Sequence, residues 1–289
     1  MTQEMRRGSV SCMTPEGFHR MAYVEWGDPA NPRVLVCVHG LTRSGRDFDA
    51  LARELSPHYR VVCPDVAGRG DSDWLKNPMY YVVSTYAADM ATLIARLNVE
   101  EVHWVGTSMG GLIGMGVAAL PNSPITKLVL NDVGPVLSAV SLARIGSYVG
   151  KAPGFPSFAA AEQFVRVTSA PFGPHSDAEW RHLTEHVVRK EADGSWRMHY
   201  DPAIAKPFVA GFESGGGQDI ELWNIYDAIR CPTLLLRGRE SDLLTGATAA
   251  AMGERGPRAQ CVEFAGVGHA PTLMHADQIG VVKQFLLGN

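Results

Sequence analysis

The chain has no run of more than two consecutive lysine or arginine residues, and its 289 residues carry a formal net charge of −4. A nucleic-acid partner is therefore not expected, because no patch could neutralise a row of phosphates. No run of about 18 apolar residues occurs either, which is the length that a membrane-spanning helix needs. No apolar signal-peptide stretch follows the N-terminal residues 1–7. These absences predict a cytoplasmic protein without a membrane partner.

Cofactor motifs are also missing. No Gly-x-Gly-x-x-Gly follows a strand-like stretch and no P-loop lysine is present, so we expect neither a nucleotide site nor another cofactor. Cysteine is scarce, its count of five is odd, and no Cys-x-x-Cys pair occurs, so a disulfide framework is not expected. Four cysteines in or beside apolar stretches are predicted to be small buried residues, namely Cys37, Cys63, Cys231 and Cys261.

The most informative stretch that is present runs from Val102 to Gly111, where an apolar run ends in Gly-x-Ser-x-Gly and a helical pattern follows. This order predicts a tight strand-to-helix turn, whose strained backbone aims the Ser108 hydroxyl out of the fold. Gly106 and Gly110 fit this turn because a larger side chain would collide as the strand doubles back into the helix. Ser108 is therefore the candidate nucleophile.

Short apolar stretches alternate with helical patterns along most of the chain. This alternation predicts an α/β fold, with a mostly parallel twisted sheet and helices on both faces. Residues 8–13 and 18–26 alternate polar and apolar, which indicates an antiparallel pair at the sheet edge. Buried strands are predicted at 33–38, 60–64, 102–107, 127–130, 233–236 and 261–264, and core helices at 45–55, 84–97, 108–120 and 279–287.

The alternation stops after Val133-Gly134-Pro135 and resumes near Thr233. We therefore predict residues 1–134 as the first part of the core, 135–228 as a helical cap insertion and 229–289 as the second part of the core. The insertion holds 12 of the chain's 24 aromatic residues. This enrichment fits a small core of its own, an apolar wall over a pocket, or both.

A serine hydroxyl needs a base to take its proton, and that base needs a third group to orient it. In an open parallel sheet, sites form at the carboxyl ends of the strands. Asp242 lies one loop beyond the strand at 233–236, and His269 lies one loop beyond the strand at 261–264. The order along the chain makes Ser108, Asp242 and His269 the candidate catalytic residues.

The whole pattern resembles the α/β-hydrolase fold family, in the branch of esterases, enol-lactonases and carbon–carbon bond hydrolases. The resemblance runs along nearly the whole length. The residues that carry it are His39-Gly40, Asp65-Val66-Ala67-Gly68-Arg69-Gly70-Asp71-Ser72, Gly106-Thr107-Ser108-Met109-Gly110-Gly111, Asp242 and Gly268-His269. It implies Ser108 as nucleophile, His269 as base and Asp242 as the acid that orients the histidine.

The resemblance also implies an oxyanion hole built from two backbone N–H groups. One is the N–H of Met109, which begins a helix and has no partner within it, while the helix dipole adds a favourable potential. The other is the N–H of Leu41, just after His39 and Gly40. We interpret His39 as a residue that organises its own loop.

Two alternatives for the acid stay open. Asp132 ends the preceding predicted strand, and related folds sometimes carry the acid there, while Glu240 is close to Asp242 in the sequence. A separate pattern, His182-Leu183-Thr184-Glu185-His186, fits the His-x-x-Glu-His motif of inverted zinc proteases. A charged helix explains this pattern as well, and we expect no metal.

A serine nucleophile forms an acyl-type intermediate. The sequence therefore predicts a serine hydrolase that cleaves a carboxylic ester or lactone of a small to medium, partly apolar substrate. Two alternatives remain: carbon–carbon hydrolysis, perhydrolysis or acyl transfer by the same residues, and a non-catalytic ligand-binding protein. The expected partner is the small-molecule substrate, and the sequence does not indicate an oligomeric state.

Overall fold

The computed structural model describes residues 4–151, 153–214 and 217–288. One or a few residues of each of the three predicted parts therefore lie outside the described residues. The strands of the fold are β1 (Arg6–Thr14), β2 (Gly17–Trp26), β3 (Val34–Val38), β4 (Arg60–Pro64), β5 (Val102–Thr107), β6 (Ile125–Asn131), β7 (Val136–Leu137), β8 (Gly154–Phe155), β9 (Val188–Lys190), β10 (Trp196–Met198), β11 (Ile220–Glu221), β12 (Thr233–Gly238) and β13 (Gln260–Phe264).

The main sheet has eight strands in the order β1-β2-β4-β3-β5-β6-β12-β13. Strand β2 pairs antiparallel with both β1 and β4, whereas the remaining neighbours pair in parallel. All five residues of β3 are buried, because a strand inside such a sheet is covered on both faces. The predicted mostly parallel sheet and the antiparallel pair at its edge are confirmed.

The helices are both α-helical and 3-10. The α-helices are α1 (Asp49–Leu55), α2 (Val83–Leu97), α3 (Met109–Ala118), α4 (Ala139–Tyr148), α5 (Phe158–Thr168), α6 (Asp177–Glu185), α7 (Ala205–Ser214), α8 (Trp223–Tyr226), α9 (Gly246–Glu254) and α10 (Ala276–Leu287). Short 3-10 helices span Gly45–Phe48, Pro78–Tyr80, Ala170–Phe172 and Pro202–Ile204. No helix among the described residues is long and apolar enough to cross a membrane.

The two faces of the sheet carry separate apolar clusters, and β3 contributes to both. Val36 belongs to the cluster that contains residues of α2 and α3, and Leu35 belongs to the cluster that contains residues of α1 and α10. Neighbouring residues of a strand point to opposite faces. Helices therefore cover both faces, which confirms the predicted fold class.

Residues 135–228 are less purely helical than predicted. Besides α4 to α8, they contain a three-stranded antiparallel sheet, β8-β10-β9, and an antiparallel pair, β7 with β11. Each of these strands is only two or three residues long. Such short strands do not leave a readable polar/apolar alternation in the sequence.

Main-chain hydrogen bonds join residues 135–228 to two loops at the carboxyl end of the sheet. In the loop after β4, Gly70 N donates to His199 O over 3.0 Å. In the loop after β13, Gly268 N donates to Pro171 O over 2.7 Å. Residues 135–228 are therefore attached to the core at two places, one beside β4 and one beside β13. The carboxyl ends of β3, β5, β6 and β12 lie between these two places.

The burial predicted for cysteine holds for Cys37 and Cys63, which are both buried. It is wrong for Cys261, which is exposed, and Cys231 is only half-buried. Cys261 lies on β13, the last strand of the sheet. An edge strand is covered less completely than the strands inside the sheet, so a strand-like sequence does not guarantee burial there.

The turn between β5 and α3 leaves no room for side chains at two positions. An added Cβ atom at Gly106 would lie 2.3 Å from Gly110 O, and one at Gly110 would lie 1.9 Å from Val38 O. Both obstacles are backbone atoms, which cannot move aside as a flexible side chain would. This close approach explains why glycine occupies both positions.

We expect Gly110→Ala to lower the free energy of unfolding by roughly 2–4 kcal/mol. Overpacking a core usually costs about 1–3 kcal/mol, and the backbone atom that the new Cβ would meet cannot move aside. The matched control is Gly116→Ala in the same helix, because an added Cβ there meets nothing within 4 Å. That control should be neutral or stabilising by roughly 0.5–1 kcal/mol. Urea denaturation measures both variants, and equal stabilities would contradict the steric explanation.

Candidate active site

Ser108 lies at the turn between β5 and α3, with φ 51° and ψ −114°. A positive φ is strained for any residue other than glycine and is typical of functional turns. Its backbone N–H donates to Asn131 O of β6 over 3.0 Å, which fastens the turn to the neighbouring strand. Ser108 is therefore held at the carboxyl end of the sheet, beside the end of β6.

His269, in the loop after β13, contacts both Ser108 and Asp132. Its Nε2 lies 2.9 Å from Ser108 Oγ, and its Nδ1 lies 2.7 Å from Asp132 Oδ2. Because Nδ1–H donates a hydrogen bond to the carboxylate, the Nε2 lone pair is free to accept a hydrogen bond from the Ser108 hydroxyl. The three side chains form one continuous hydrogen-bonded chain.

Asp132 is fully buried directly after β6, with φ 55°, a conformation that aspartate tolerates better than most residues. Its Oδ1 accepts a hydrogen bond from Gly238 N over 2.9 Å, and its Oδ2 accepts one from Ser241 Oγ over 2.6 Å. Together with the His269 ring, these donors replace the water that a buried carboxylate loses. The carboxylate is therefore fixed in position.

The structure corrects the expectation that Asp242 contacts the histidine. Asp242 forms an ion pair with Arg144 of α4 at 2.6 Å, and its side chain is 52% exposed. After β12 the chain turns toward α4 before it reaches Asp242, so Ser241 and not Asp242 faces the buried carboxylate. Asp132 takes the position beside His269 because it directly continues β6, whose carboxyl end adjoins Ser108.

Glu240, the other alternative for the acid, serves the loop that carries the histidine. Its two carboxylate oxygens accept hydrogen bonds from Gly266 N over 3.0 Å and from Val267 N over 2.8 Å. These bonds join the loop after β12 to the loop after β13. Glu240 therefore supports the position of His269 through the backbone of its loop.

Leu41 and Met109, predicted as the oxyanion donors, line the same cavity as Ser108 and His269. Within the described ranges, neither backbone N–H donates to a protein acceptor. Gly40 lies against the serine, since an added Cβ there would be 3.8 Å from Ser108 Cβ. The two N–H groups therefore remain available beside the serine.

His39 is fully buried and holds the loop that carries Leu41. Val66 N donates to His39 Nε2 over 2.9 Å, so the ring proton lies on Nδ1, which donates to Gly40 O over 2.7 Å. Gly40 O belongs to the peptide group whose N–H is that of Leu41, so this bond orients and polarises that N–H. Burial lowers the pKa of His39 to about 4, which agrees with a neutral ring.

A cavity of about 830 Å³ lies over Ser108 and His269, a size typical of small-molecule sites. Two arginines that line it are paired with carboxylates: Arg43 with Asp47 and Arg144 with Asp242. Much of the lining is apolar or aromatic, and residues 135–228 contribute Leu142, Ile145, Tyr148, Phe164, Phe172 and Tyr200.

The His-x-x-Glu-His pattern lies where α6 meets the core. Ligand atoms of His182, His186 and Asp49 lie within 4.8 Å of one another. Both oxygens of Asp49, however, accept hydrogen bonds from the Arg46 guanidinium, and His182 Nε2 lies 3.1 Å from Arg46 O. These bonds explain the cluster as a contact of α6 with the 3-10 helix Gly45–Phe48 and the start of α1.

A second cluster of residues of metal-binding type comprises Cys12, His19 and Asp89, all of them buried. The Cys12 thiol donates to Asp89 O over 3.9 Å, and burial raises the pKa of this thiol to about 12. His19 Nε2 lies 2.9 Å from Asp89 Oδ2. This cluster is a buried hydrogen-bonded contact between the β1–β2 pair and α2.

The fold and the arrangement around Ser108 define the class of protein. The family model described as the alpha/beta hydrolase fold matches residues 33–276, and the chain belongs to this family. A solved alpha/beta hydrolase from Novosphingobium aromaticivorans is 34% identical, with a TM-score of 0.86 over 98% of each chain.

Two curated relatives bear on the particular enzyme. The chain is similar to the 3-hydroxybutyrate-oligomer hydrolase of Cupriavidus necator, with 51% identity over 292 residues and 100% of each chain covered. It is also similar to the pimeloyl-acyl-carrier-protein methyl ester esterase of Xanthomonas campestris, with 25% identity over 257 residues, 85% of this chain and 91% of that protein. The predicted enzyme class, a hydrolase that acts on ester bonds, is confirmed.

The neutral state of His39 makes the stability of the fold depend on pH. Burial lowers its pKa from 6.5 to about 4, so the unfolded chain binds this proton at a higher pH than the folded chain does. The part of the free energy of unfolding that depends on the neutral His39 ring is fully present above pH 6.5 and should be lost as the pH falls toward 4. At 1.36 kcal/mol per pKa unit, it amounts to roughly 3 kcal/mol.

Comparison with His39→Gln isolates this contribution from those of the other histidines. We expect acidification from pH 7.5 to 4.5 to destabilise the wild type by roughly 2–3 kcal/mol more than the variant. Urea denaturation at the two pH values measures the difference. The same pH dependence in both proteins would show that His39 is not held neutral.

Proposed function

We propose that this enzyme cleaves its ester substrate with Ser108 as nucleophile, His269 as general base and Asp132 as the residue that orients the histidine. The observation that carries the proposal is the continuous chain of hydrogen bonds, 2.9 Å from Ser108 to His269 and 2.7 Å from His269 to Asp132. A serine hydroxyl alone is a weak nucleophile, and this arrangement supplies the base and its orientation.

The reaction follows from the positions of the protons. Ser108 Oγ attacks the ester carbonyl while His269 Nε2 takes the hydroxyl proton, and Asp132 stabilises the charged ring. Collapse of the tetrahedral intermediate breaks the carbon–oxygen bond, and His269 gives its proton to the leaving alcohol. Water then attacks the acyl-enzyme, His269 again takes and returns a proton, and the carboxylic acid is released.

The negative oxygen of the tetrahedral intermediate is assigned to the backbone N–H groups of Leu41 and Met109. Both residues line the cavity beside Ser108, and Met109 is the first residue of α3, where the helix dipole favours negative charge. His39 supports the Leu41 side of this hole through Gly40 O. Losing one such donor typically costs about 3–4 kcal/mol of transition-state stabilisation.

The proposed substrates are short linear oligomers of 3-hydroxybutyrate. The 51% identity to a hydrolase of such oligomers extends over the whole of both chains, and the cavity of about 830 Å³ can hold an extended molecule longer than a simple ester. Residues 135–228 act as a cap that is inserted in the sequence between the core parts 1–134 and 229–289. This cap contributes the apolar wall of the cavity. The cytoplasmic location stays a prediction.

We expect Asp132→Asn to lower kcat by about 10⁴-fold, as loss of the orienting carboxylate does in other triads. Asp242→Asn is the matched control, because it removes a carboxylate from the same cavity without touching His269, and kcat should change only a few-fold. Steady-state hydrolysis of a p-nitrophenyl short-chain ester measures both variants. The reverse order of effects would return the orienting role to Asp242.

Dimers and trimers of 3-hydroxybutyrate should be cleaved to the monomer with a higher kcat/KM than methyl esters of simple acids. Ser108→Ala should abolish the reaction, and its thermal unfolding should stay close to that of the wild type. Chromatographic measurement of monomer release tests both expectations. Preference for simple esters would reject the substrate class alone, whereas an active Ser108→Ala variant would reject the proposed nucleophile.

A further inference from the structure

Arg69 is a buried arginine directly behind the proposed oxyanion hole. It lies in the loop after β4 and is 1% exposed. Its Nε donates to Leu41 O over 2.8 Å, and its Nη2 lies 3.6 Å from the sulfur of Met109. The guanidinium therefore touches both residues whose backbone N–H groups are assigned to the hole.

The remaining contacts of this guanidinium are also uncharged. Nη1 donates to Ala67 O over 2.7 Å and to Tyr86 Oη over 2.8 Å. The guanidinium carbon lies 5.1 Å from the centre of the Tyr86 ring and 5.7 Å from that of Tyr81. In the part of the chain that the structure describes, no carboxylate pairs with Arg69.

A buried cation without an anionic partner is costly, because it loses water without gaining an opposite charge. Other buried or partly buried arginines of this chain have a carboxylate partner, such as Arg60 with Glu25 and Arg237 with Glu263. The guanidinium of Arg69 therefore bonds directly to no carboxylate among the described residues, and the buried Asp201 is one tyrosine away, since Tyr81, whose ring faces the guanidinium, donates to Asp201 Oδ2 over 2.6 Å. On the side of Leu41 and Met109, the negative group that would complement this charge is the oxyanion that forms during the reaction.

We propose that Arg69 is a positioning residue of the oxyanion hole, whose charge stabilises the oxyanion that forms at Ser108. The inference rests on the proposed function, because it requires the negative oxygen to bind to Leu41 N and Met109 N. Arg69 fixes the carbonyl side of Leu41, while His39 fixes the peptide group on its amino side through Gly40 O. In a site of low dielectric constant, a charge one residue behind the donors still acts on the oxyanion.

Arg69→Met tests this role, since methionine fills part of the space without the charge or the donors. Removing an oxyanion donor itself lowers kcat by about 10²–10³-fold. Arg69 contacts the donor residues but does not bind the oxyanion, so we expect Arg69→Met to lower kcat by about 10–100-fold and to change KM only slightly. A trifluoromethyl ketone, which forms a tetrahedral oxyanion on Ser108, should lose affinity by a similar factor. The affinity for a planar amide analogue of the substrate, which is uncharged and carries no negative oxygen, should stay unchanged.

Arg60→Met is the matched control. Arg60 lies at the start of β4, the opposite end from the active site, and donates to Glu25 and to Leu97 O. Its replacement should lower the melting temperature and leave kcat and the affinity for the trifluoromethyl ketone unchanged. A loss that arises from destabilisation alone would appear in both variants.

Arg69→Lys keeps the charge but not the planar set of donors, and it should retain more of kcat than Arg69→Met does. If Arg69→Met does not fold, Arg69→Lys is measured in its place. The factor by which its kcat falls should then equal the factor by which its affinity for the trifluoromethyl ketone falls. Wild-type kcat, or a loss of kcat without a loss of ketone affinity, would overturn the role of Arg69. An active Ser108→Ala variant would instead overturn the proposed function.

Discussion

The carboxylate of Asp132 is the interaction on which the arrangement of the active site depends. Asp132 directly follows β6, and its carboxylate accepts hydrogen bonds from Gly238 at the end of β12, from Ser241 in the loop after β12, and from His269 Nδ1 in the loop after β13. Three separate parts of the chain meet at this one buried group. Because a buried carboxylate must be surrounded by donors, the same requirement that satisfies Asp132 also fixes the histidine toward Ser108.

Most of the fold could be predicted from the sequence, because apolar stretches and helical spacing depend on burial within each element. The turn at Ser108 was equally readable, since Gly106 and Gly110 report a close approach of backbone atoms. The acid was not. Asp132 and Asp242 both follow buried strands, and the choice between them depends on the direction of the chain after β12, which no local pattern encodes. Contacts between distant residues, such as Arg144 with Asp242, decide that direction.

In the proposed mechanism, two buried polar residues prepare the site for negative charge before substrate arrives. His39 is held neutral and orients the peptide group that ends in Leu41 N, and Arg69 holds the other side of the same residue. Both side chains belong to the core and not to the cavity wall. From the sequence, His39 is interpreted as a residue that organises its own loop, which agrees with its bonds to Gly40 O and Val66 N. Arg69 is marked only as a member of a glycine-rich loop, because its value comes from contacts across the end of the sheet.

The bonds of Gly70 to His199 and of Gly268 to Pro171 have a consequence for access to Ser108. Moving residues 135–228 away from the strand ends as one rigid body would break main-chain hydrogen bonds beside both β4 and β13. These bonds therefore oppose a wide opening of the cavity over Ser108.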